Sequence, residues 1–203
     1  MSTRFAAVSL CAALSACVPR PVELGFWIVP LSYQSPRIGE PITPQEFAII
    51  DSVARSEIRD AFKDYAVTVT PNRNARFKVE VVPTLKDWRR LARPGTYAGE
   101  SRAIAGFGGA GAVNFEFVAN GAMVFAPAEA GRAEVIEAVG RGVGRVAIHE
   151  FAHQLLPKQP IDSSKDPRSF EGNSAAIVEG YYGDLHWDIA RPWLDARLRK
   201  KRP

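Results

Sequence analysis

The chain has 203 residues, of which 46% are hydrophobic and 24% charged, with a formal net charge of +4. These values are typical of a soluble globular domain and exclude the disordered and collagen-like classes. The small positive charge comes without a sequence signature of nucleic-acid binding, so we expect no nucleic acid among the partners. Both cysteines, Cys11 and Cys17, lie near the N-terminus, which excludes a disulfide framework or a cysteine metal cage in the rest of the chain.

The N-terminal residues have the pattern of an export signal. Arg4 precedes an apolar run, and the segment that follows reads Leu-Ser-Ala-Cys and ends at Cys17. This segment resembles the lipobox of bacterial lipoproteins, in which the signal is removed and the cysteine becomes lipidated. The resemblance implies a signal peptide over residues 1–16 and a tether over 17–23 that begins at lipidated Cys17. The protein is then held in the bacterial cell envelope by its lipid anchor, facing the periplasm or the cell exterior; a plain signal peptide is the alternative.

Strands and one long helix are predicted in the N-terminal half. Thr43-Pro44-Gln45-Glu46 predicts a helix start, because Thr caps a helix and Pro and Glu suit its first turn. Apolar residues at helical spacing continue this helix to about Asp64. Strand composition or alternation is found at five places: residues 24–30, 66–70, 77–82, 113–118 and 122–125. The last two are predicted to form a hairpin around Asn120-Gly121.

Helices are predicted to dominate the C-terminal half. One runs from near Glu134 to Leu156, through glycines at 140, 142 and 144, and Pro157 stops it. Residues 157–173 are a polar loop, and a second long helix is predicted over 174–199. A short helix is also predicted over 86–92.

A glycine-rich segment over residues 106–111 matches the G-x-G-x-x-G pattern. It leads into a predicted strand, so no helix N-terminus would meet a pyrophosphate, and we interpret it as a loop beside a cleft rather than a dinucleotide site.

Residues 149–153 read His-Glu-Phe-Ala-His, which is the H-E-x-x-H motif. Histidines four residues apart lie on one helix face, so both imidazoles can reach one metal ion. Glu150 is close enough to take a proton from a water molecule that zinc activates. The helix is apolar almost all round, and burying three ionisable groups on it is costly unless something pairs them. The motif therefore predicts a Zn2+ site with His149 and His153 as ligands and Glu150 as the catalytic base.

The motif resembles that of the zincin metallopeptidases, and the predicted element order before it is similar to the N-terminal half of metzincin and related zincin folds. The resemblance implies a single α+β, zincin-like domain over residues 24–203. It would have a small mixed β-sheet packed on a long helix, a buried motif helix, and a C-terminal helix that supplies the third metal ligand. The chain departs from the metzincin pattern, since Leu156 and Gln159 stand where metzincins have a glycine and a third histidine.

A catalytic zinc usually has three protein ligands. The candidates for the third ligand are Asp162, Glu171, Glu179 and His186. Glu179 is preferred, because glutamate-type zincins take this ligand from a second helix and residues 179–183 resemble the D-x-x-Y-G stretch of aspartate-type zincins. If Glu179 is the ligand, His186 or Tyr182 is predicted to donate a hydrogen bond to the oxyanion that forms during the reaction. If His186 is the ligand, Glu179 becomes a supporting or substrate-binding group.

These features predict a zinc-dependent metallopeptidase that cleaves peptide bonds in a peptide or protein substrate. The alternative is a zinc-binding envelope lipoprotein without turnover, acting as a structural or interaction module. A base beside the first ligand argues against this alternative, because a purely structural site has no use for it.

A cluster of basic residues lies near the C-terminus: Arg197, Arg199, Lys200, Lys201 and Arg202. The simpler interpretation is a solvated helix end whose charge suits the helix dipole. The alternative is attraction to anionic lipid or to a cell-wall polymer.

Overall fold

The computed structural model describes residues 20–29, 32–34, 39–85, 98–104, 108–172 and 174–200. The strands are β1 (Val22–Ile28), β2 (Val67–Thr70), β3 (Phe77–Val82), β4 (Gly99–Ile104) and β5 (Gly108–Asn114). The helices are α1 (Pro44–Ala61), α2 (Phe115–Val124), α3 (Arg132–Leu155), α4 (Glu179–Tyr182) and α5 (Arg191–Arg197). Two short 3-10 turns lie at Ile161–Ser163 and Ser174–Ala176. The predicted α+β class is therefore confirmed.

The five strands form one sheet in the order β2-β1-β3-β5-β4. Neighbouring strands are parallel except β4, which runs antiparallel to β5 at the sheet edge. Parallel neighbours need a crossover connection, and α1 provides it between β1 and β2. Helix α3 packs against β3, β4 and β5 and also against α1, so the main apolar core lies between the sheet and these two helices.

The predicted start of α1 is confirmed by a complete capping box. Thr43 Oγ1 accepts a hydrogen bond from the Glu46 backbone N–H at 3.2 Å, and a Glu46 carboxylate oxygen accepts one from the Thr43 N–H at 2.8 Å. These two bonds satisfy backbone donors that a helix start leaves without partners.

The three glycines of α3 lie within one continuous helix, and each of them faces a close neighbour. A Cβ at Gly140 would lie 2.7 Å from Val53 Cβ, and one at Gly144 would lie 2.8 Å from a backbone oxygen of α1. Gly142 faces another side of the helix and leaves room for the ring of Tyr181. A helical glycine costs about 1 kcal/mol relative to alanine, and here it allows α1 and Tyr181 to pack closely against α3.

The predicted hairpin around Asn120-Gly121 is wrong, because these residues lie inside α2. Asn114 is the N-cap of α2, and its side-chain oxygen accepts a hydrogen bond from the Phe117 N–H at 3.2 Å. The apolar residues of this segment alternate locally, as in a strand, but the buried ones recur at helical spacing: Phe115, Val118, Ala119 and Ala122.

The long helix predicted over residues 174–199 is also wrong. The chain forms a 3-10 turn, the single turn of α4 and the short α5, with irregular segments between them. Gly180 packs directly against the backbone of Ser174, and Gly183 ends α4 in extended conformation. Local glycines and the tertiary contacts of this segment therefore override its helical periodicity.

Part of the sequence predictions falls outside the described residues. These parts are the signal peptide, Cys17 and the short helix over 86–92. The glycine-rich segment predicted as a loop over 106–111 is described only from Gly108, which has a positive φ of 120°. The loop prediction is wrong for residues 108–111, because they lie in β5. Within the described ranges, no helix is long and apolar enough to cross a membrane.

Candidate metal centre

The C-terminal turns of α3 bring the two motif histidines together. Their Nε2 atoms lie 3.0 Å apart, on the helix face that looks away from the core. After α3 ends, a short loop turns back and forms the 3-10 turn that carries Asp162. Asp162 Oδ1 lies 3.1 Å from His149 Nε2 and 3.4 Å from His153 Nε2. Within the described ranges, this is the only group of three His, Cys, Asp or Glu residues whose ligand atoms all lie within 4.8 Å of one another.

A backbone carbonyl fixes the orientation of the His149 ring. Its Nδ1 lies 2.9 Å from the carbonyl oxygen of Phe170. A carbonyl can only accept, so this contact favours a proton on Nδ1 and leaves the Nε2 lone pair facing His153 and Asp162. Histidines that bind metals commonly donate their other N–H to a carbonyl in this way.

The three ligand atoms are spaced so that they could hold one small divalent cation. Donors of a tetrahedral zinc ion, each about 2.0–2.1 Å from the metal, lie about 3.3 Å from one another. The separations of 3.0, 3.1 and 3.4 Å are close to that value. Two neutral imidazole nitrogens that both present lone pairs repel at this distance, so they require either a shared proton or a cation between them.

Glu150 lies beside this group and is buried, with 4% of its surface exposed. Burial raises the pKa of Glu150 to about 7, although the nearby His149 acts in the opposite direction. Its Oε2 is fully buried and has no hydrogen-bond partner among the described residues. Burying an oxygen without a hydrogen-bond partner is costly. A carboxylate held in this position beside the ligand group is suited to proton transfer.

An open cleft of about 950 Å³ runs over the motif residues. Edge strand β4 forms one wall, and the loop after α3 forms another. Its lining includes Gly99, Ser101, His149, Glu150, His153 and Asp162. The absence of a side chain at Gly99 makes room for Glu150, because a Cβ at this position would overlap Glu150 Oε1.

Gln154 ties the motif helix to the sheet. Its side-chain amide accepts a hydrogen bond from the Lys78 N–H at 3.0 Å and donates to the Lys78 carbonyl at 3.0 Å. It also donates to Ser101 Oγ at 3.1 Å, and Ser101 Oγ donates to the Glu150 carbonyl at 3.0 Å. Side chains at Gly109 and Gly111 would collide with or crowd Gln154.

Gln154 and Ser101 are not among the residues that the sequence predicts at the site. The available signal was a polar glutamine at a buried position of an apolar helix. Such a residue needs internal hydrogen-bond partners.

Glu179, the preferred third ligand, does not join the two histidines. It begins α4, and its backbone carbonyl accepts a hydrogen bond from Arg145. Asp162, one of the alternatives, takes that position instead. The prediction of Glu179 assumed a continuous helix over 174–199, with Glu179 and His186 on the same face. This helix is absent from that described range, so the assumed face does not exist.

The two predicted oxyanion donors also lie elsewhere. His186 Nε2 lies 3.2 Å from an Asp166 carboxylate oxygen, at a second cavity that Trp187 also lines. The Tyr182 hydroxyl donates to the Ala122 carbonyl at 2.9 Å. Neither side chain lines the cleft over the motif.

Glu171, another candidate ligand, is fully buried and holds the backbone of the following loop. Its carboxylate accepts hydrogen bonds from the Asp188 N–H at 3.1 Å and the Ala190 N–H at 2.6 Å. These bonds shape the segment whose Phe170 carbonyl orients His149, so Glu171 supports the site indirectly.

Comparisons of this chain with protein-family models, with curated proteins and with solved structures found no match. The assignment of function therefore depends on the geometry of the site.

Proposed function

We propose that this protein is a zinc-dependent metallopeptidase of the zincin type, with His149, His153 and Asp162 as metal ligands and Glu150 as general base. The observation that carries the proposal is the buried Glu150 carboxylate, with no partner for Oε2 among the described residues, beside three ligand atoms within 3.4 Å of one another. A structural metal site has no need of such a base.

The chemistry divides between the metal and the protein. A zinc ion, when bound, supplies a Lewis acid that polarises the scissile carbonyl and makes water acidic near neutral pH. Glu150 would accept a proton from the attacking water and return it to the departing amine. The Phe170 carbonyl keeps the His149 ring in place throughout.

The cleft walls favour a peptide as substrate. Strand β4 is the edge strand of the sheet and borders the cleft. An edge strand can pair through its backbone with an extended peptide, which would align a scissile bond over the motif residues.

The donor set also suits ferrous iron, which is commonly bound by two histidines and one carboxylate. The buried base favours hydrolysis over oxygen chemistry, because activation of water requires a proton acceptor at this position. Elemental analysis of the protein purified without added metal distinguishes the two ions; we expect zinc at about one equivalent.

The proposal is tested by comparing the wild type with Glu150→Gln on a broad peptide library, each loaded with zinc. Glu116→Gln is the matched control, because Glu116 is exposed on α2. We expect cleavage by the wild type and the control, loss of cleavage in Glu150→Gln, and equal zinc content in all three. Equal cleavage with and without Glu150 would contradict the mechanism. Zinc binding without any cleavage would favour the non-catalytic envelope module.

A further inference from the structure

The basic segment near the C-terminus lies beside the start of β1. The Ala66 N–H donates to the Arg199 carbonyl at 2.7 Å, and Tyr65 forms an antiparallel bridge with Lys200. The Ala66 carbonyl in turn accepts from the Val22 N–H at 2.8 Å. Val22 and Arg199 are therefore held on either side of the same short backbone segment.

This corner of the molecule carries two positive charges that the fold does not neutralise. Arg197 and Arg199 are exposed and form no ion pair with any described residue. Lys200 is exposed and lies 3.0 Å from Asp195, which also accepts a hydrogen bond from Tyr65. We call Arg197, Arg199 and Lys200 the basic corner; two further cations, Lys201 and Arg202, follow in the sequence.

The predicted lipid anchor brings the basic corner close to a membrane. Val22 follows Cys17 by five positions, with four residues between them, and even a fully extended link of that length spans at most about 18 Å. Electrostatic attraction between exposed charges reaches about 8 Å at physiological ionic strength. When the corner beside Val22 faces the bilayer, so short a link brings its charges within this distance of the membrane surface.

We propose that the basic corner binds the anionic headgroups of the membrane that carries the anchor, and so sets the orientation of the domain. The orientation rests on the predicted lipidation of Cys17, whereas the attraction rests only on the charges. The basic corner lies at the β2 edge of the sheet, and the cleft lies at the β4 edge, four strands away. At about 4.8 Å per strand the two edges are about 19 Å apart. Binding through the basic corner thus leaves the cleft open to substrates.

Vesicle flotation tests the attraction. The full chain carrying Cys17→Ser is mixed with vesicles of phosphatidylcholine alone or with added phosphatidylglycerol, so that no acyl chain contributes to binding. We expect binding that requires phosphatidylglycerol and weakens as salt is raised. Replacing Arg197, Arg199 and Lys200 by Gln should weaken it by roughly a hundredfold, as expected for three lost contacts.

Two further variants make the result specific. Replacing Arg102, Lys165 and Arg168 by Gln removes the same charge from other exposed positions and should change binding little. Arg197→Lys with Arg199→Lys keeps the charge and should bind like the parent chain. Equal losses in the two Gln variants, or binding independent of phosphatidylglycerol, would overturn the proposal. The assay requires neither acylation nor metal, so its outcome is independent of the proposed peptidase activity.

Discussion

Gly99 of the edge strand β4 lies in direct contact with Glu150 of the motif helix, and the space between them cannot hold even one methyl group. The contact is possible because β4 crosses over α3 at this point, where Ser101 also donates to the Glu150 carbonyl. The backbone of the sheet edge therefore fixes the position of the buried carboxylate.

Gly99→Ala is expected to lower peptide cleavage while leaving the metal content unchanged. The new Cβ would push Glu150 away from its position, and misplacing a reacting group by about 1 Å can reduce the rate by about a hundredfold. Gly131→Ala is the matched control, because a Cβ there has no neighbour within 4 Å. Steady-state kinetics and metal analysis on both variants check this. Normal turnover in Gly99→Ala would show that the contact does not position Glu150.

Asp162→Ala is expected to weaken zinc binding by more than the 10–100-fold that is typical when a supporting residue is lost. Glu179→Gln should bind zinc like the wild type, since its carboxylate lies outside the group formed with His149 and His153. Titration with a chelating dye measures both affinities. The opposite ranking of the two variants would restore Glu179 as the third ligand.

The pair of Glu46 and Arg132 links the start of α1 to the start of α3. The Arg132 guanidinium, 2.6 Å away, lowers the pKa of Glu46 from 4.5 to about 2. Because the pKa is lower in the folded chain, the stabilisation is complete above about pH 4.5 and is lost as the pH falls through 2. Glu46→Gln should therefore unfold at lower urea concentration than the wild type at pH 7, with a difference that shrinks between pH 4.5 and 2. A difference independent of pH would show that the charge of Glu46 is not the cause.

Gly144→Ala should destabilise the fold by about 1–3 kcal/mol, although alanine is the better helix former. The added methyl group would press on the backbone of Ala54 in α1, which cannot move like a flexible side chain. Glu137→Ala, at an exposed position of the same helix, is the control. Chemical denaturation measures both free energies of unfolding. A more stable Gly144→Ala would show that the interface between α1 and α3 has room for the added methyl group.

The predicted anchor is checked by metabolic labelling with a fatty-acid analogue. Labelling of the wild type and its loss in Cys17→Ala are expected, because only this cysteine follows the lipobox pattern. Labelling that survives the substitution would contradict the anchor.

Features set by neighbouring residues could be predicted from the sequence. The capping box at Thr43 and Glu46 and the motif helix depend on contacts within one or two turns. The α2 helix was missed because Asn114 can cap a helix or end a strand, and only burial of the helical face decides between these states. Asp162 could not be chosen over Glu179, because its place depends on how the loop after α3 folds back, which involves residues distant in sequence.

The proposed site holds one zinc ion between His149, His153 and Asp162, next to Glu150. Anomalous diffraction at the zinc absorption edge, from crystals of the protein purified without added metal, tests this most directly. We predict a single strong peak about 2.0–2.2 Å from Nε2 of His149, Nε2 of His153 and a carboxylate oxygen of Asp162. A peak bound by Glu179 or His186 in place of Asp162, or no peak near the two histidines, would rule out this zinc site.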